Sequence, residues 1–217
     1  MNKTIVISDD HPLFRQALLA AIKPLFRTAD ILEVETLTAT LEVLEQGKVD
    51  LLLLDLRMSD SSGLAGLIYI KNSYPEMPVI VVSASEGAET VRAAIQAGAS
   101  GYIVKSASSG QIRGAIEQVT QGETAVPASA STAVSEAERK LLEAIENIAL
   151  LTPTQLKVLV KMTEGLLNKQ IAWEMGISEA TVKSHVTAIF RKLNVRTRTQ
   201  AVVVAKQLDF VLSDSAG

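Results

Sequence analysis

Asp9 and Asp10 stand just beyond the apolar run Ile5-Val6-Ile7, Asp55 closes Leu51 to Leu54, Ser83 closes Val79 to Val82, and Lys105 follows Tyr102 to Val104. Three carboxylates brought together repel one another and require a cation, and an all-oxygen set suits Mg2+ better than a softer metal. Mg2+ beside the Lys105 ammonium leaves room for a further anion. Such a set can accept a phosphoryl group on a carboxylate, the cation and lysine stabilising charge on its equatorial oxygens. A lone Asp at a strand end is more often a cap or a turn residue, so a capped, solvated rim stands as the alternative. The joint placement of five residues on four strand ends favours the phosphoryl site.

The elements that must position these residues are legible as a pattern. The apolar runs, with Ile31 to Val34 as the fifth, are too short for buried helices and are bounded by polar or Gly punctuation, as strands are. Between them, Leu13, Ala17, Leu18, Ala21 and Ile22 share one helical face, as do Leu37, Leu41 and Leu44, and Val91, Ala94 and Ile95. Five strands alternating with five helices, several strands apolar throughout, require a parallel sheet covered on both faces. That is a doubly wound α/β domain, whose sites form at the carboxyl ends of the strands.

The composition of the 217 residues, 47% hydrophobic and 21% charged, is that of an ordinary soluble globular protein. Apolar runs such as Ala201 to Ala205 are far short of the ~20 residues of a membrane-spanning helix. Two aspartates arrive by residue 10, before a signal-peptide pattern can develop. The absence of cysteine removes disulfides, thiol nucleophiles and thiolate metal sites, and a cytoplasmic setting is expected. The net charge of −3 conceals an asymmetry. Residues 1–125 carry 10 Lys+Arg against 15 Asp+Glu, residues 126–150 carry 2 against 4, and residues 151–217 carry 9 against 5. Between Glu179 and Asp209 there is no acid, while Lys183, Arg191, Lys192, Arg196, Arg198 and Lys206 fall in that gap. The rear is suited to a polyanion.

Gln121 to Ser135 is rich in Ala, Ser and Thr and reads as a linker. Ser135 with Glu138 has capping-box spacing, opening a connector helix that carries Leu141, Leu142, Ile145 and Ile148. This stripe is expected to pack inward, with a short coiled-coil contact as the alternative. From Leu151 the pattern is helical throughout. Thr152-Pro153 caps a first helix ending near Gly165, Asn168 to Met175 forms a second that stops at Gly176, and a third begins after Ser178. A fourth covers about Thr197 to Leu212. The second and third, joined through Gly176, have helix-turn-helix spacing, in which the later helix enters the major groove. Val182, Val186, Ile189 and Leu193 share its inward face, while Thr181, Lys183, Ser184 and Thr187 are polar. The boundaries expected are 1–121, 122–150 and 151–217.

Residues 3–120 resemble a response-regulator receiver domain: Ser8-Asp9-Asp10-His11-Pro12, Leu53-Leu54-Asp55-Leu56-Arg57-Met58, Val81-Val82-Ser83-Ala84 and Gly101-Tyr102-Ile103-Val104-Lys105 match its motifs in order and spacing. The resemblance implies that Asp55 is the phosphoacceptor and takes its phosphoryl group from a kinase phosphohistidine. Mg2+ would be held by Asp10, Asp55 and the backbone carbonyl of Arg57, with Asp9 mostly through water. Ser83 would hydrogen-bond the phosphoryl group, Lys105 would pair with it, and Tyr102 would turn inward as an aromatic switch. A half-buried strand tyrosine is the alternative for Tyr102. The loop Met58-Ser59-Asp60-Ser61-Ser62-Gly63 departs from the usual Met-Pro-Gly, implying a more mobile loop with Asp60 adding charge near the pocket.

Residues 150–206 resemble the LuxR-type helix-turn-helix through Leu151-Thr152-Pro153, Asn168-Lys169-Gln170-Ile171-Ala172, Gly176 to Val186 and Arg191-Lys192-Leu193-Asn194-Val195. Together the two stretches are similar to a NarL/FixJ-type response regulator. The fold so implied is an α/β doubly wound, parallel five-stranded receiver followed by a small all-α helix-turn-helix domain. The implied function is transcription control by phosphorylation at Asp55, with a histidine kinase, promoter DNA and a second copy of the chain as partners and no membrane association. It would be a phosphoacceptor rather than an enzyme, with only its own phosphorylation and dephosphorylation at Asp55. The DNA-facing positions fall on Lys183, Ser184 and Thr187, with Lys169, Thr181 and Arg191 or Lys192 near phosphates. Thr187 stands where relatives often carry Lys, implying fewer direct guanine contacts. Thr154-Gln155 replaces the usual charged pair that braces this module. Val202, Val203, Ala205 and Leu208 offer a dimer seam, and Trp173 is expected to point outward and meet the receiver or linker. His185 on the third helix fits a phosphate contact or a buried partner better than a metal ligand.

Overall fold

The computed structural model describes residues 3–60 and 63–213, with side chains placed as far as residue 207. Five strands, β1 (Thr4–Ser8), β2 (Asp30–Val34), β3 (Leu51–Asp55), β4 (Val79–Ser83) and β5 (Gly101–Val104), form one parallel sheet in the order β2-β1-β3-β4-β5. The order reverses between β1 and β3, so the crevice beyond their carboxyl ends is where a doubly wound sheet accepts a ligand. β3 and β4 are buried along their whole length, which is why they read as unbroken apolar runs.

Alternation along the strands divides the core in two. Ile5, Ile7, Leu51, Leu53, Ile80, Val82 and Ile103 pack with Leu18 and Ile22 of α1 (Pro12–Ile22) and with Ile112 and Ile116 of α5 (Ser109–Thr120). The opposite face, with Val6, Leu52, Leu54, Val79, Val81 and Tyr102, meets α2 (Leu37–Gln46), α3 (Leu64–Ser73) and α4 (Ala88–Gln96). Full burial of each large aliphatic side chain contributes roughly 1.5–3 kcal/mol before entropy is counted.

That second cluster runs on into the rear of the chain. Ile145 and Ile148 of α6 (Glu136–Ala149), Leu156 and Leu159 of α7 (Pro153–Thr163), and Ala201 and Ala205 of α10 (Arg198–Ser213) belong to it. The connector stripe therefore packs inward, as its periodicity implied. The rear is all helical, with α8 (Asn168–Met175) and α9 (Glu179–Lys192) between α7 and α10. Local chemistry sets its boundaries. Thr152 and Gln155 form a capping box with Pro153 in the first turn of α7, Gly176 ends α8 at φ 66°, and the Ser178 side chain accepts from Thr181 N–H to open α9.

The connector's cap differs from expectation. Ser135 accepts from the Glu138 N–H, but the Glu138 carboxylate does not return to Ser135: its Oε1 accepts from Arg92 Nε of α4 at 2.6 Å. A cationic partner competes successfully with a neutral amide for a nearly buried carboxylate. Arg92 also donates to the carbonyl of Ala130 at 2.7 Å and to Thr132, so it ties α4 to both the linker and α6. Two further ties join front and rear. Asn72 Nδ2 donates to the Leu151 carbonyl at 2.6 Å, and Lys157 Nζ lies 4.9 Å from the centre of the Tyr69 ring.

Candidate functional site

β1, β3, β4 and β5 deliver Asp9, Asp10, Asp55, Ser83 and Lys105 to one edge of the sheet. The Asp9 and Asp55 side chains are each 1% exposed, and Lys105 Nζ bridges them, 2.8 Å from Asp9 Oδ2 and 2.7 Å from Asp55 Oδ2. Asp55 Oδ1 accepts from the Arg57 N–H at 2.9 Å, which fixes that peptide at the rim. Asp9 Oδ1 accepts from the His11 N–H at 2.8 Å, and the Asp9 carbonyl accepts from Arg15 Nη1 at 2.7 Å. Ligand atoms of Asp9, Asp10, His11 and Asp55 all lie within 4.8 Å of one another. Among the described residues, Asp9 Oδ2 and Asp10 Oδ1 are buried oxygens with no hydrogen bond of good geometry, their near neighbours being Lys105 Nζ at 2.8 Å and His11 Nδ1 at 2.7 Å respectively. The set fits a hard divalent cation, which offsets the charge one lysine leaves uncompensated.

Ser83 is buried beside this cluster, its Oγ accepting from the Ser85 N–H at 3.2 Å. Tyr102 is only 2% exposed and its hydroxyl donates to the Ser85 carbonyl at 2.8 Å, with burial pushing the phenol above its ordinary pKa. The ring thus lies inward and is buried rather than half-buried. Ser85 Oγ is hydrogen-bonded to Thr90 Oγ1 of α4 at 3.1 Å. The strand-end hydroxyls are in this way continuous with the helix that holds Arg92.

Asp60 is engaged at the start of α2. Its carboxylate accepts from the N–H groups of Leu37 and Thr38 at 2.7 and 2.9 Å and from Thr38 Oγ1 at 2.8 Å, closing the start of α2. Burial raises its pKa, but the hydrogen bonds from Thr38 and Leu37 outweigh this and hold the carboxyl below its ordinary value. Asp60 is thereby tied to the start of α2, and Ser61 and Ser62 lie outside the described residues.

On α9, Val182, Ile189 and Leu193 are buried and Val186 is half-buried, while Thr181, Lys183, Ser184, Thr187 and Arg191 are exposed. Lys183 Nζ pairs with Glu179 Oε1 at 2.8 Å, a contact that keeps the Glu179 carboxyl below its ordinary pKa. The Thr181 hydroxyl shares a 2.8 Å hydrogen bond with Ser178 Oγ, and Thr187 Oγ1 donates back to the Lys183 carbonyl at 3.0 Å. Lys169 at the start of α8 is exposed, and His185 is half-buried. Lys192 is engaged elsewhere: its Nζ donates to the Leu150 carbonyl and to Gln155 Oε1, each at 2.8 Å. This bond braces the module where the charged pair is missing, and it leaves Arg191 as the exposed cation of the two.

Two other expectations are corrected. Trp173 points outward but is 85% exposed, so neither receiver nor linker covers it. Of the suggested seam, Ala205 is buried in the chain's own core, Val202 is half-buried against it, and Val203 is exposed; the Leu208 side chain lies outside the described residues. Sequence reasoning missed His11 as a pocket residue and Arg92 as an interdomain tie. Adjacency to Asp9-Asp10 was a signal for His11, which adopts extended backbone before α1 and keeps its ring beside the cluster.

Comparison with known proteins agrees with this geometry. Residues 5–117 match the model described as "Response regulator receiver domain", and residues 149–205 match "Bacterial regulatory proteins, luxR family". The chain is 43% identical over 212 residues to the glycerol metabolism activator of Pseudomonas putida, covering 95% of this chain and 96% of that one. It is 31% identical to the nitrate/nitrite response regulator protein NarP of Escherichia coli, covering 94% of each. Among solved structures, RcsB of Salmonella typhimurium superposes with a TM-score of 0.55 at 24% identity, covering 93% of this chain and 97% of that one, and supports the fold. A structure of the RcsB–DNA complex gives a TM-score of 0.56 at 23% identity, covering 95% of this chain and 99% of that one.

Proposed function

The chain belongs to the NarL/FixJ-type two-component response regulators, transcriptional regulators with a receiver and a LuxR-type DNA-binding domain, and we propose that Asp55 is its phosphoacceptor. The observation that carries this reading is the convergence of Asp9, Asp10, Asp55 and Lys105, with the ammonium 2.7 Å from Asp55 Oδ2. In the proposed step an Asp55 oxygen attacks the phosphorus of a kinase phosphohistidine. The P–N bond breaks, and its electron pair and a proton remain with the imidazole. Asp10, Asp55 and the Arg57 carbonyl would hold Mg2+, with Asp9 beside them, and the ion would neutralise charge on the transferring group. Lys105 pairs with the phosphoryl oxygens and the Ser83 hydroxyl donates to one of them. The only chemistry is this phosphorylation and its reversal by water.

The functional division is 1–121 for phosphoacceptance, 122–150 for connection and 151–217 for DNA. Phosphorylation shifts an existing equilibrium between the closed arrangement, with α10 against α3 and α4, and a DNA-competent dimer. The path runs from Ser83 through Ser85 and Thr90 to α4, and so to the Arg92 tie with α6. On DNA, α9 enters the major groove with Lys183, Ser184 and Thr187 towards bases, while Lys169, Thr181 and Arg191 meet phosphates. Lys192 keeps its bonds to Leu150 and Gln155. Two copies read half-sites about a two-fold axis. Among the described residues no helix is long and apolar enough to cross a membrane, and the proposed setting is the cytoplasm.

The test is intact mass after treatment with acetyl phosphate and Mg2+. Wild type gains one phosphoryl group and Asp55→Asn gains none; equal phosphorylation of both overturns the assignment.

A further inference from the structure

A crevice of about 200 Å3 opens between the receiver and the rear module, where α2 and α3 face α7. Leu37 and Leu41 of α2 and Tyr69 of α3 line one side, and Leu156 and Val160 of α7 line the other. All but Leu156 are only half-buried, so apolar surface from both domains is left facing a common space. The rim is neutral in sum. Lys157 lies over the Tyr69 ring and Lys161 pairs with Glu174, while the Glu164 carboxylate has no partner among the described residues. A charged ligand brought here trades its hydration for no net attraction, whereas a neutral ring covers the apolar side chains. An apolar cavity of about 150 Å3 takes benzene, so this volume suits a molecule of two fused rings. The Glu164 carboxylate can accept from one N–H or O–H on such a molecule. The receiver side of the crevice hangs from the loop that leaves Asp55: the Leu37 N–H donates to Asp60 Oδ1 at 2.7 Å, and Ala65 and Gly66, which also line the crevice, lie in the first turn of α3.

We propose that this crevice binds a small neutral aromatic molecule, two fused rings with a single N–H or O–H donor, and that its occupation holds the receiver against the DNA-binding module. Since the two sides belong to different domains, only the closed arrangement presents the whole crevice. A ligand that binds one arrangement alone favours it by 1 + [L]/Kd, about tenfold when the ligand stands at ten times its dissociation constant. By reciprocity, whatever opens the chain weakens the ligand by the same coupling. The aromatic molecule is thus a second input that opposes activation. Its binding requires no phosphoryl chemistry, but its opposition to activation rests on the reading of Asp55 as phosphoacceptor.

Indole is the probe, and methyl resonances of the full chain, labelled at Leu and Val, are the readout. Indole should shift the methyls of Leu37, Leu41 and Val160 with a dissociation constant of about 1 mM or tighter, as a ligand of this size can reach. Val160→Phe and Leu41→Phe fill the crevice from opposite sides, and each should abolish the shifts while keeping the wild-type circular dichroism. Indole-3-acetate, of similar shape but anionic, should bind about tenfold more weakly or less. Beryllofluoride with Mg2+ should weaken indole about tenfold. No shift at these methyls, shifts that survive both filling variants, or indole-3-acetate binding as tightly as indole overturns the site. Shifts of the same methyls on raising protein concentration alone assign the crevice to a second copy and overturn it too. If beryllofluoride drives dimerisation yet leaves indole affinity unchanged, the role in closure fails and the Asp55 reading stands. If indole binds but beryllofluoride changes neither oligomeric state nor indole affinity, the site stands and the Asp55 reading fails.

Discussion

Removing Arg92 should loosen the tie between receiver and connector more than removing Glu138, although both delete the same ion pair. The side chains are 17% and 7% exposed and meet at 2.6 Å. Arg92→Ala leaves a nearly buried carboxylate without its cation, a change that costs about 3 kcal/mol, at the low end of the range for broken buried pairs because Arg92 itself is partly wet. Glu138→Ala leaves the guanidinium with the Ala130 carbonyl at 2.7 Å and Thr132 at 3.2 to 3.3 Å. Its cost is that of one charge-assisted hydrogen bond, about 1.5 kcal/mol. Amide exchange along α6 is the assay, since opening of the connector exposes its backbone. Arg92→Ala should accelerate exchange there by about 100-fold and Glu138→Ala by about tenfold, at about 1.4 kcal/mol per factor of ten. The double variant should be more stable than Arg92→Ala alone, because it no longer buries an unpaired charge. If Glu138→Ala costs as much as Arg92→Ala, or the double variant costs the sum of the singles, the reasoning about this pair is wrong.

Tyr102→Phe removes the hydroxyl bonded to the Ser85 carbonyl and should lower stability by about 1 kcal/mol in thermal unfolding. Asp60→Ala removes the carboxylate at the start of α2 and should cost about 1 kcal/mol at neutral pH. Because the folded-state pKa of Asp60 is lowered from 3.8, this contribution is present above that value and is lost as pH falls through the lower folded value, so parallel melts should converge in acid. Lys183→Ala should weaken DNA binding and reduce the slope of log K against log salt by about 1 if the ammonium reaches a phosphate; a base contact instead relaxes sequence preference.

The sheet was legible because parallel strands buried on both faces must be apolar throughout, as Leu51 to Leu54 are. The position of the pocket followed from that, since residues ending such strands share one edge. The caps Thr152, Ser178 and Gly176 were equally legible, being set within one turn of chain. Partners far apart in sequence were not. Glu138 has capping-box spacing with Ser135, yet its charge is taken by Arg92, 46 residues away. Asp60 reads as a loop charge and instead caps α2, 22 residues upstream. Lys192 reads as a phosphate contact but reaches back to Gln155. Periodicity shows that Ala205 and Ile145 are buried, but not what covers them. The adjacency of His11 to Asp9 and Asp10 is visible in the sequence, but that its ring stays beside the cluster is set by the backbone before α1.

The central claim is that phosphorylation at Asp55 controls binding of α9 to DNA. Its most direct test is the affinity of the full chain for a promoter fragment found by genomic footprinting, measured at one salt concentration with and without beryllofluoride and Mg2+. Tighter binding by wild type on treatment, together with a shift from monomer to dimer, is expected, with Asp55→Asn unresponsive in both respects. Equal affinity of treated and untreated wild type, or an equal response in Asp55→Asn, would contradict the account.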